Sequence, residues 1–485
     1  MNQFDCDLAI IGSGFGGSVC ALRAAEARQQ VIVLERGRRM DENAYAAIAD
    51  GRMPLVHSTH RTGLVEIPKI DGLLCLAGCA VGGGSHVYTA VTVRAPDEIF
   101  DRGWPSDITA AEMADYFDRV ERTIDPAPMP IALPRTAALE RIGAATGSKV
   151  TRLPLSIYRQ SESAAPAARG DELDTRKRIV TWLRGGTLAP KRTLDATYLS
   201  KARQAGAEVR SMHEASSIIS EGVGFRIEYL NRNDAGTLPG AIRARQVVIA
   251  AGTLGTIRLL FNCRDELRSL AGLSDLLGRR FFTNGDLGGV LVNPRDGAPA
   301  DDGPPTTAWI DHWDSDRLYL MELGRLPLPP MFDRVLGWLS PAVGAERDGH
   351  WAFGVMGFDE TEHQIIRKLN GGFACIRHER AQSVFSDRAH ERLRELAAAT
   401  GGRLVVPPRW FLDRFAVTVH PLGGAAMADS PEQGVTDSHG EVFGCPGLFV
   451  ADGSLLPTPI GRPPSMTIAA LAERVAERVV QDADE

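Results

Sequence analysis

No uninterrupted apolar run in this sequence is long enough to span a bilayer, so stable membrane insertion through a helix is not expected. The opening residues, MNQFDCDLAIIG, lead straight into an apolar strand. No basic leader, apolar core or cleavage site precedes it, and the expected location is cytoplasmic. An excess of basic charge is also missing. The 54 lysines and arginines stand against 61 aspartates and glutamates, a net charge of −7. That leaves no electrostatic footprint for nucleic acid as a partner. Paired cysteines are missing as well. The seven are Cys6, Cys20, Cys75, Cys79, Cys263, Cys375 and Cys445, odd in number and scattered. They read as buried, reduced thiols. CLAGC holds one close pair, Cys75 and Cys79, but no second Cys/His pair stands nearby, so no metal site is expected.

What is present is ordinary for a large globular protein: 44% hydrophobic and 24% charged residues. A length of 485 residues suggests about three units, or two large interleaved ones.

The N-terminal stretch DLAIIGSGFGGSVCALRAAEARQQVIVLERG reads as strand, turn, helix, strand. In the turn Gly12, Ser13, Gly14, Phe15, Gly16, Gly17, each glycine has a task. Gly12 permits the tight turn, Gly14 lets the backbone approach a pyrophosphate, and Gly17 lets helix and strand pack closely. The helix N-terminus then offers free N–H groups to phosphate. Glu35 ends the second strand, where a carboxylate can accept hydrogen bonds from ribose hydroxyls. Together these predict binding of an adenine dinucleotide, and they do not by themselves separate FAD from NAD.

Further along, GCAVGGGSHVYTAVTV places bare backbone at residues 82–84, which suits a sharp turn or close approach to a flat ring. Residues 38–75 read as loop-rich, and residues 161–177 as a mobile loop. Helices are predicted over residues 110–124, 386–400 and 465–480. QVVIAAGTLGTIRLLFNC repeats the strand-turn-helix logic, and GLFVADGS is another buried strand. LYLMEL and HWAFGVMGF alternate as strands of a second sheet. Nucleotide-type segments at both ends and in the middle imply interleaved domains.

Five blocks carry a family likeness: IIGSGFGGSV, GCAVGGGSHVY, KRTLDATYLSKA with EVRSMHEASSI, VVIAAGTLGTIRLLFNCRD with FFTNGDLGG, and the tail from HPLGG through LFVADGSLLP to MTIAALAER. In these the chain resembles the glucose-methanol-choline (GMC) flavoprotein oxidoreductases, in their bacterial cholesterol oxidase-like branch. The resemblance implies a mixed α/β fold. A Rossmann-like FAD-binding domain would take residues 1–95, 195–285 and 415–485. A substrate domain on a mixed or antiparallel sheet would take residues 96–194 and 286–414. It also implies FAD rather than NAD. Gly12, Gly14, Phe15, Gly16, Gly17 and Glu35 would hold the adenosine half. Gly83, Gly84 and Ser85 would lie along the pyrophosphate and flavin, and Ala215 would meet the adenine. Asp452 and Gly453 would reach the ribityl region. Ser465 and Met466 would border the flavin ring at the start of the last helix.

The resemblance also makes His420, in HPLGG, the active-site base that takes a proton while a hydride leaves the substrate for flavin N5. The expected partners are a small-molecule alcohol and O2 or another electron acceptor. The family's second active-site residue, a histidine or asparagine, falls on Pro463, which has neither a side-chain donor nor an N–H. Arg462 and His86 are the candidate replacements, and Tyr88 a third residue near the site. Glu346 lies where a sterol-isomerising glutamate would fall, without a matching motif. The expected function is oxidation of a hydroxyl on a ring-containing small molecule, of sterol, sugar or natural-product class. With the second residue lost, a desaturase or redox-neutral flavoenzyme of the same fold is the alternative. A flavin-binding protein without turnover, or an NAD-dependent enzyme, would leave HPLGG and the tail block without a use.

Overall fold

The apolar runs at the two ends and in the middle of the chain meet in one sheet. Cys6–Ile11 lies between Val31–Glu35 and Gly236–Ile249, parallel to both, and Glu208–Ser211 extends the sheet beyond Val31–Glu35. Leu448–Val450 adds in parallel beside residues 247–249. The first half of Gly236–Ile249 turns antiparallel, carrying Phe225–Asn233 and then His213–Ser220. A parallel sheet with both faces covered needs strands that are apolar throughout. Leu8, Ile10, Val33, Leu34, Val247 and Val248 are accordingly buried. The computed structural model describes residues 3–58, 62–158, 175–233, 236–294, 303–325, 350–377 and 379–484. The predicted loop at 161–174, and Glu346, lie outside the described residues.

Helix Phe15–Glu26 covers this sheet, and the last helix, Ser465–Asp484, packs between it and Ala110–Ile124. The stripe Met466, Ala469, Leu471, Ala472, Val475 and Val479 is buried, as its helical spacing predicts.

A second sheet of six antiparallel strands runs Arg403–Val405, Leu287–Val292, His350–Gly357, Leu318–Gly324, Ala308–His312, Lys149–Arg152. Its alternation divides two environments. Leu291, Leu318, Leu320 and Ile310 join a core with helices Pro134–Thr146 and Glu379–Thr400. Tyr319 and Met321 face the opposite way, into the main core. The architecture is mixed α/β, as expected. The loop-rich reading of residues 38–75 missed a helix, Glu42–Ala49, whose N-cap Asp41 accepts from the Ala44 N–H at 2.8 Å. Its eight residues are too short for a clear apolar period.

A small sheet joins distant parts of the chain: Gln364–Arg367, Phe373–Ile376, Ile70–Asp71, Leu73–Cys75 and Ala416–Thr418. It delivers the chain to His420. The cysteines are free, six buried and Cys445 half-buried, and burial pushes the Cys6 and Cys79 thiols up to about 12. No helix among the described residues is long and apolar enough to cross a membrane.

Candidate active site

The glycines of the first turn divide into those that permit packing and those that leave space. A Cβ on Gly12 would lie 2.2 Å from the Ala250 carbonyl oxygen, and one on Gly17 would lie 2.0 Å from the Gly12 oxygen. A Cβ on Gly16 would overlap the Ala451 oxygen at 1.4 Å. Gly14 and Gly84 differ, because a Cβ on either meets nothing within 4 Å. Their bare faces border one cavity of about 880 Å³. Gly83, at φ 53°, brings the second glycine loop against the first, its Cβ position 2.7 Å from Gly14 Cα. Gly12, Phe15, Gly16 and Gly83 also line the cavity, whereas Gly17 and Ser85 do not. Ser85 instead donates to the Gly82 carbonyl at 2.7 Å and accepts from the Leu194 N–H at 3.1 Å. Its hydroxyl is therefore occupied in closing the turn, a correction to its expected place along the cofactor. Helix Phe15–Glu26 has no side-chain cap and no acid in its first turn, so its N-terminus is open to an anion.

Glu35 lines the cavity and is buried. Its Oε2 accepts from the Ser13 N–H and hydroxyl, at 3.0 and 2.6 Å, and its Oε1 from the Gly37 N–H at 2.7 Å. Oε1 thus keeps one lone pair for a ligand hydroxyl. Ala215, Asp452, Gly453 and Ser465 line the cavity as well. Asp452 accepts from the Thr256 hydroxyl at 2.5 Å and from the Ser454 N–H at 2.9 Å, and burial pushes its carboxyl up from the ordinary value. Met466 was expected at the flavin, but its side chain is fully buried in the main core, and Ile468 lines the cavity instead. These features suit a dinucleotide: bare glycine backbone for a pyrophosphate, helix N-termini for its charge and a carboxylate for a ribose.

His420 also lines the cavity and stands between two strand pairings. Ala416–Thr418 runs parallel to Leu73–Cys75, and Leu422–Gly423 pairs with Phe281–Phe282. The second pairing places residues 283–286 beneath the histidine. Asp286 Oδ1 and Oδ2 lie 2.9 and 3.1 Å from His420 Nδ1. Oδ2 also accepts from the Thr418 hydroxyl at 2.9 Å and from the N–H groups of Val419 and His420 at 2.7 and 2.9 Å. A carboxylate only accepts, so Nδ1 carries a hydrogen toward Asp286, and whenever the ring carries a single hydrogen Nε2 keeps a lone pair. Among the described residues Nε2 has no hydrogen-bond partner. Both side chains border the cavity. Asp286 was not foreseen. It lies in FFTNGDLGG, but no spacing in the sequence relates it to a histidine 134 positions away.

The two candidate replacements for the missing residue face elsewhere. His86 is buried, its Nε2 donating to the Val81 carbonyl at 2.8 Å and its Nδ1 accepting from the Tyr45 hydroxyl at 2.7 Å. Burial pushes its pKa down to about 4, so the ring is neutral and both nitrogens are engaged. Arg462 donates from Nε and a terminal nitrogen to the Tyr319 hydroxyl, at 2.9 and 2.7 Å, and from the other to the Arg94 carbonyl at 2.9 Å. Neither side chain lines the cavity, which corrects the catalytic expectation for both. Pro463 does line it, as does Tyr88, whose ring packs edge-on to Phe15 at 5.5 Å. Buried Lys191 fixes that loop by donating to the His86 and Tyr88 carbonyls at 2.8 and 2.7 Å. The cavity lining also includes the apolar side chains of Val290, Met321, Leu323, Met356, Phe411 and Leu412.

Two family models, both described as GMC oxidoreductase, match the chain, one over residues 10–263 and the other over residues 394–472. The chain is 27% identical to a cholesterol oxidase of Acinetobacter baumannii, over 98% of this chain and 94% of that protein. It is 25% identical to the paromamine 6'-oxidase of Streptomyces fradiae, over 98% and 91%. Among solved structures it resembles pyridoxine 4-oxidase from Mesorbium loti, with a TM-score of 0.72 and 18% identity over 98% of this chain and 99% of that one.

Proposed function

The chain belongs to the GMC oxidoreductase family, and from that premise we propose that it is an FAD-dependent enzyme oxidising a hydroxyl on an apolar, ring-containing small molecule. The observation that carries this reading is the Asp286–His420 pair in the lining of the same cavity that the bare backbone of Gly14 and Gly84 borders. FAD, when bound, supplies the hydride acceptor and passes the electrons on to O2 or another acceptor. The chain's own residues do the rest. Gly14, Gly84 and the N-terminus of helix Phe15–Glu26 receive the pyrophosphate, and Glu35 receives the ribose. Asp286 holds the His420 ring with its hydrogen on Nδ1. Nε2 then takes the hydroxyl proton of the substrate, a role typically worth roughly 10²–10⁴ in rate.

Two lines support the substrate class. The relatives' names point to oxidation of alcohols, among them the ring-containing cholesterol, paromamine and pyridoxine, and one relative matched over 98% of this chain is named a long-chain-alcohol oxidase. The apolar side chains in the cavity lining favour a ring with few polar groups, because each buried hydroxyl without a partner costs about 1–3 kcal/mol. Pro463 adds a non-donating surface to that lining.

The test is an anaerobic visible spectrum of the flavin-loaded protein during addition of sterols, cyclic alcohols, simple sugars and an amino sugar. Bleaching by the apolar cyclic alcohols supports the reading. A bound flavin that no alcohol bleaches would overturn it in favour of desaturation or a redox-neutral reaction.

A further inference from the structure

We infer that Asn284 is a positioning residue that locks the turn carrying Asp286, and through it His420, to the cavity-lining segment that carries Pro463. The two segments are far apart in the chain. Residues 283–286 carry Asp286, and residues 460–463 carry Pro463. Asn284 joins them with its side chain alone. Its Oδ1 accepts from the N–H groups of Ile460 and Gly461, at 3.1 and 2.8 Å, and its Nδ2 donates to the Arg462 carbonyl at 2.9 Å. The side chain is fully buried. Its backbone stands at φ 59°, which asparagine tolerates better than most residues. An amide suits the place because it offers an acceptor and a donor a short distance apart; a carboxylate would set an oxygen against the Arg462 carbonyl.

The far side of the loop is anchored in turn. The Arg462 guanidinium is bound to the Tyr319 hydroxyl and the Arg94 carbonyl, and sits over the Trp309 and Tyr319 rings at 5.7 and 5.2 Å. Tyr319 belongs to strand Leu318–Gly324, whose Met321 lines the cavity. A continuous set of bonds therefore runs from His420 through Asp286, the turn, Asn284 and Arg462 to the substrate sheet. Arg462 thus acts in this arrangement as an anchor, with its charge turned away from the chemistry. Asn284 fixes the relation between the Asp286 turn and the Pro463 segment, and a small misplacement of reacting groups can lower a rate about 100-fold.

The inference rests on the proposed alcohol oxidation, and its test separates the two. Flavin reduction by a cyclic alcohol is followed anaerobically in the wild-type protein, in Asn284→Asp and Asn284→Gly, and in Tyr319→Phe. Asn284→Asp keeps the shape and the acceptor, and Asn284→Gly keeps the backbone conformation. Tyr319→Phe keeps the ring and removes the anchor's acceptor, so it reports on the same set of bonds if the Asn284 variants do not fold. The expected result is a limiting reduction rate about 10–100-fold lower in the Asn284 variants and several-fold lower in Tyr319→Phe. Flavin content should stay within twofold of wild type, and the substrate KM should change less than the rate. Combined with Asp286→Asn, Asn284→Asp should cost far less than it does alone, because both act through the placement of one histidine. Losses that multiply independently, or unchanged rates in folded variants with wild-type reduction intact, would overturn the inference. Absence of reduction in the wild type itself would instead overturn the alcohol-oxidation reading.

Discussion

Asp286 and His420 are bound to each other twice, through the ring nitrogen Nδ1 at 2.9 Å and through the backbone N–H of the histidine at 2.9 Å. One carboxylate therefore sets both where the histidine backbone lies and which ring nitrogen carries hydrogen. The Val419 N–H and the Thr418 hydroxyl complete its shell, so the strand end and the ring move as a unit.

Asp286→Asn keeps the volume but replaces one acceptor oxygen with a donor group facing N–H partners. Reduction of bound flavin by alcohol should fall about 10–100-fold, or roughly 1.4–2.7 kcal/mol in barrier, with FAD retained. Asp286→Ala should in addition lower the melting temperature, since it leaves several buried donors unpaired at about 1–3 kcal/mol each. Single-turnover absorbance and thermal melting measure the two effects separately.

His420→Ala and His420→Asn should bind FAD normally and lose roughly 10²–10⁴ in turnover. Near-normal turnover in either would remove the histidine from the proposed role.

The two kinds of glycine predict opposite outcomes. Gly14→Ala adds a methyl where nothing lies within 4 Å, at φ −70°, so the apoprotein should fold as before. The methyl enters the proposed pyrophosphate cradle, so FAD affinity should drop at least about tenfold, or 1.4 kcal/mol. Gly16→Ala drives its methyl into the Ala451 carbonyl and should destabilise the fold itself. Melting curves with and without FAD separate these outcomes.

His86 makes a prediction about stability and pH. Burial holds its pKa near 4, below the ordinary 6.5, so the unfolded chain binds its proton more tightly. Its contribution is therefore fully present above about pH 6.5 and is lost as pH falls toward 4. Melting temperature should decline across that window. His86→Asn should flatten that part of the decline, while an unchanged slope would mean that the ring does not titrate with folding.

Much of the cofactor half was legible in the sequence because its signals are local. Gly12 through Glu35 place strand, turn, helix and strand within about thirty residues, a spacing that one physical task dictates. The helix Ser465–Asp484 announced itself by its apolar stripe. The proposed catalytic pair was less legible because its contacts join distant segments. Asp286 is brought to His420 with the pairing of Phe281–Phe282 with Leu422–Gly423, and strands of two residues leave no periodic trace. Arg462 and His86 were sound candidates by residue type and neighbourhood. Side-chain direction decided against them, and the Tyr319 hydroxyl and Val81 carbonyl that hold them lie outside any motif.

Anaerobic single-turnover reduction of the bound flavin by a cyclic apolar alcohol, compared between wild type and Asp286→Asn, tests the central claim most directly. The account predicts bleaching in the wild type and a loss of about 10–100-fold in the variant at equal flavin content. Equal rates in the two proteins, or a wild-type flavin that no alcohol bleaches, would contradict it.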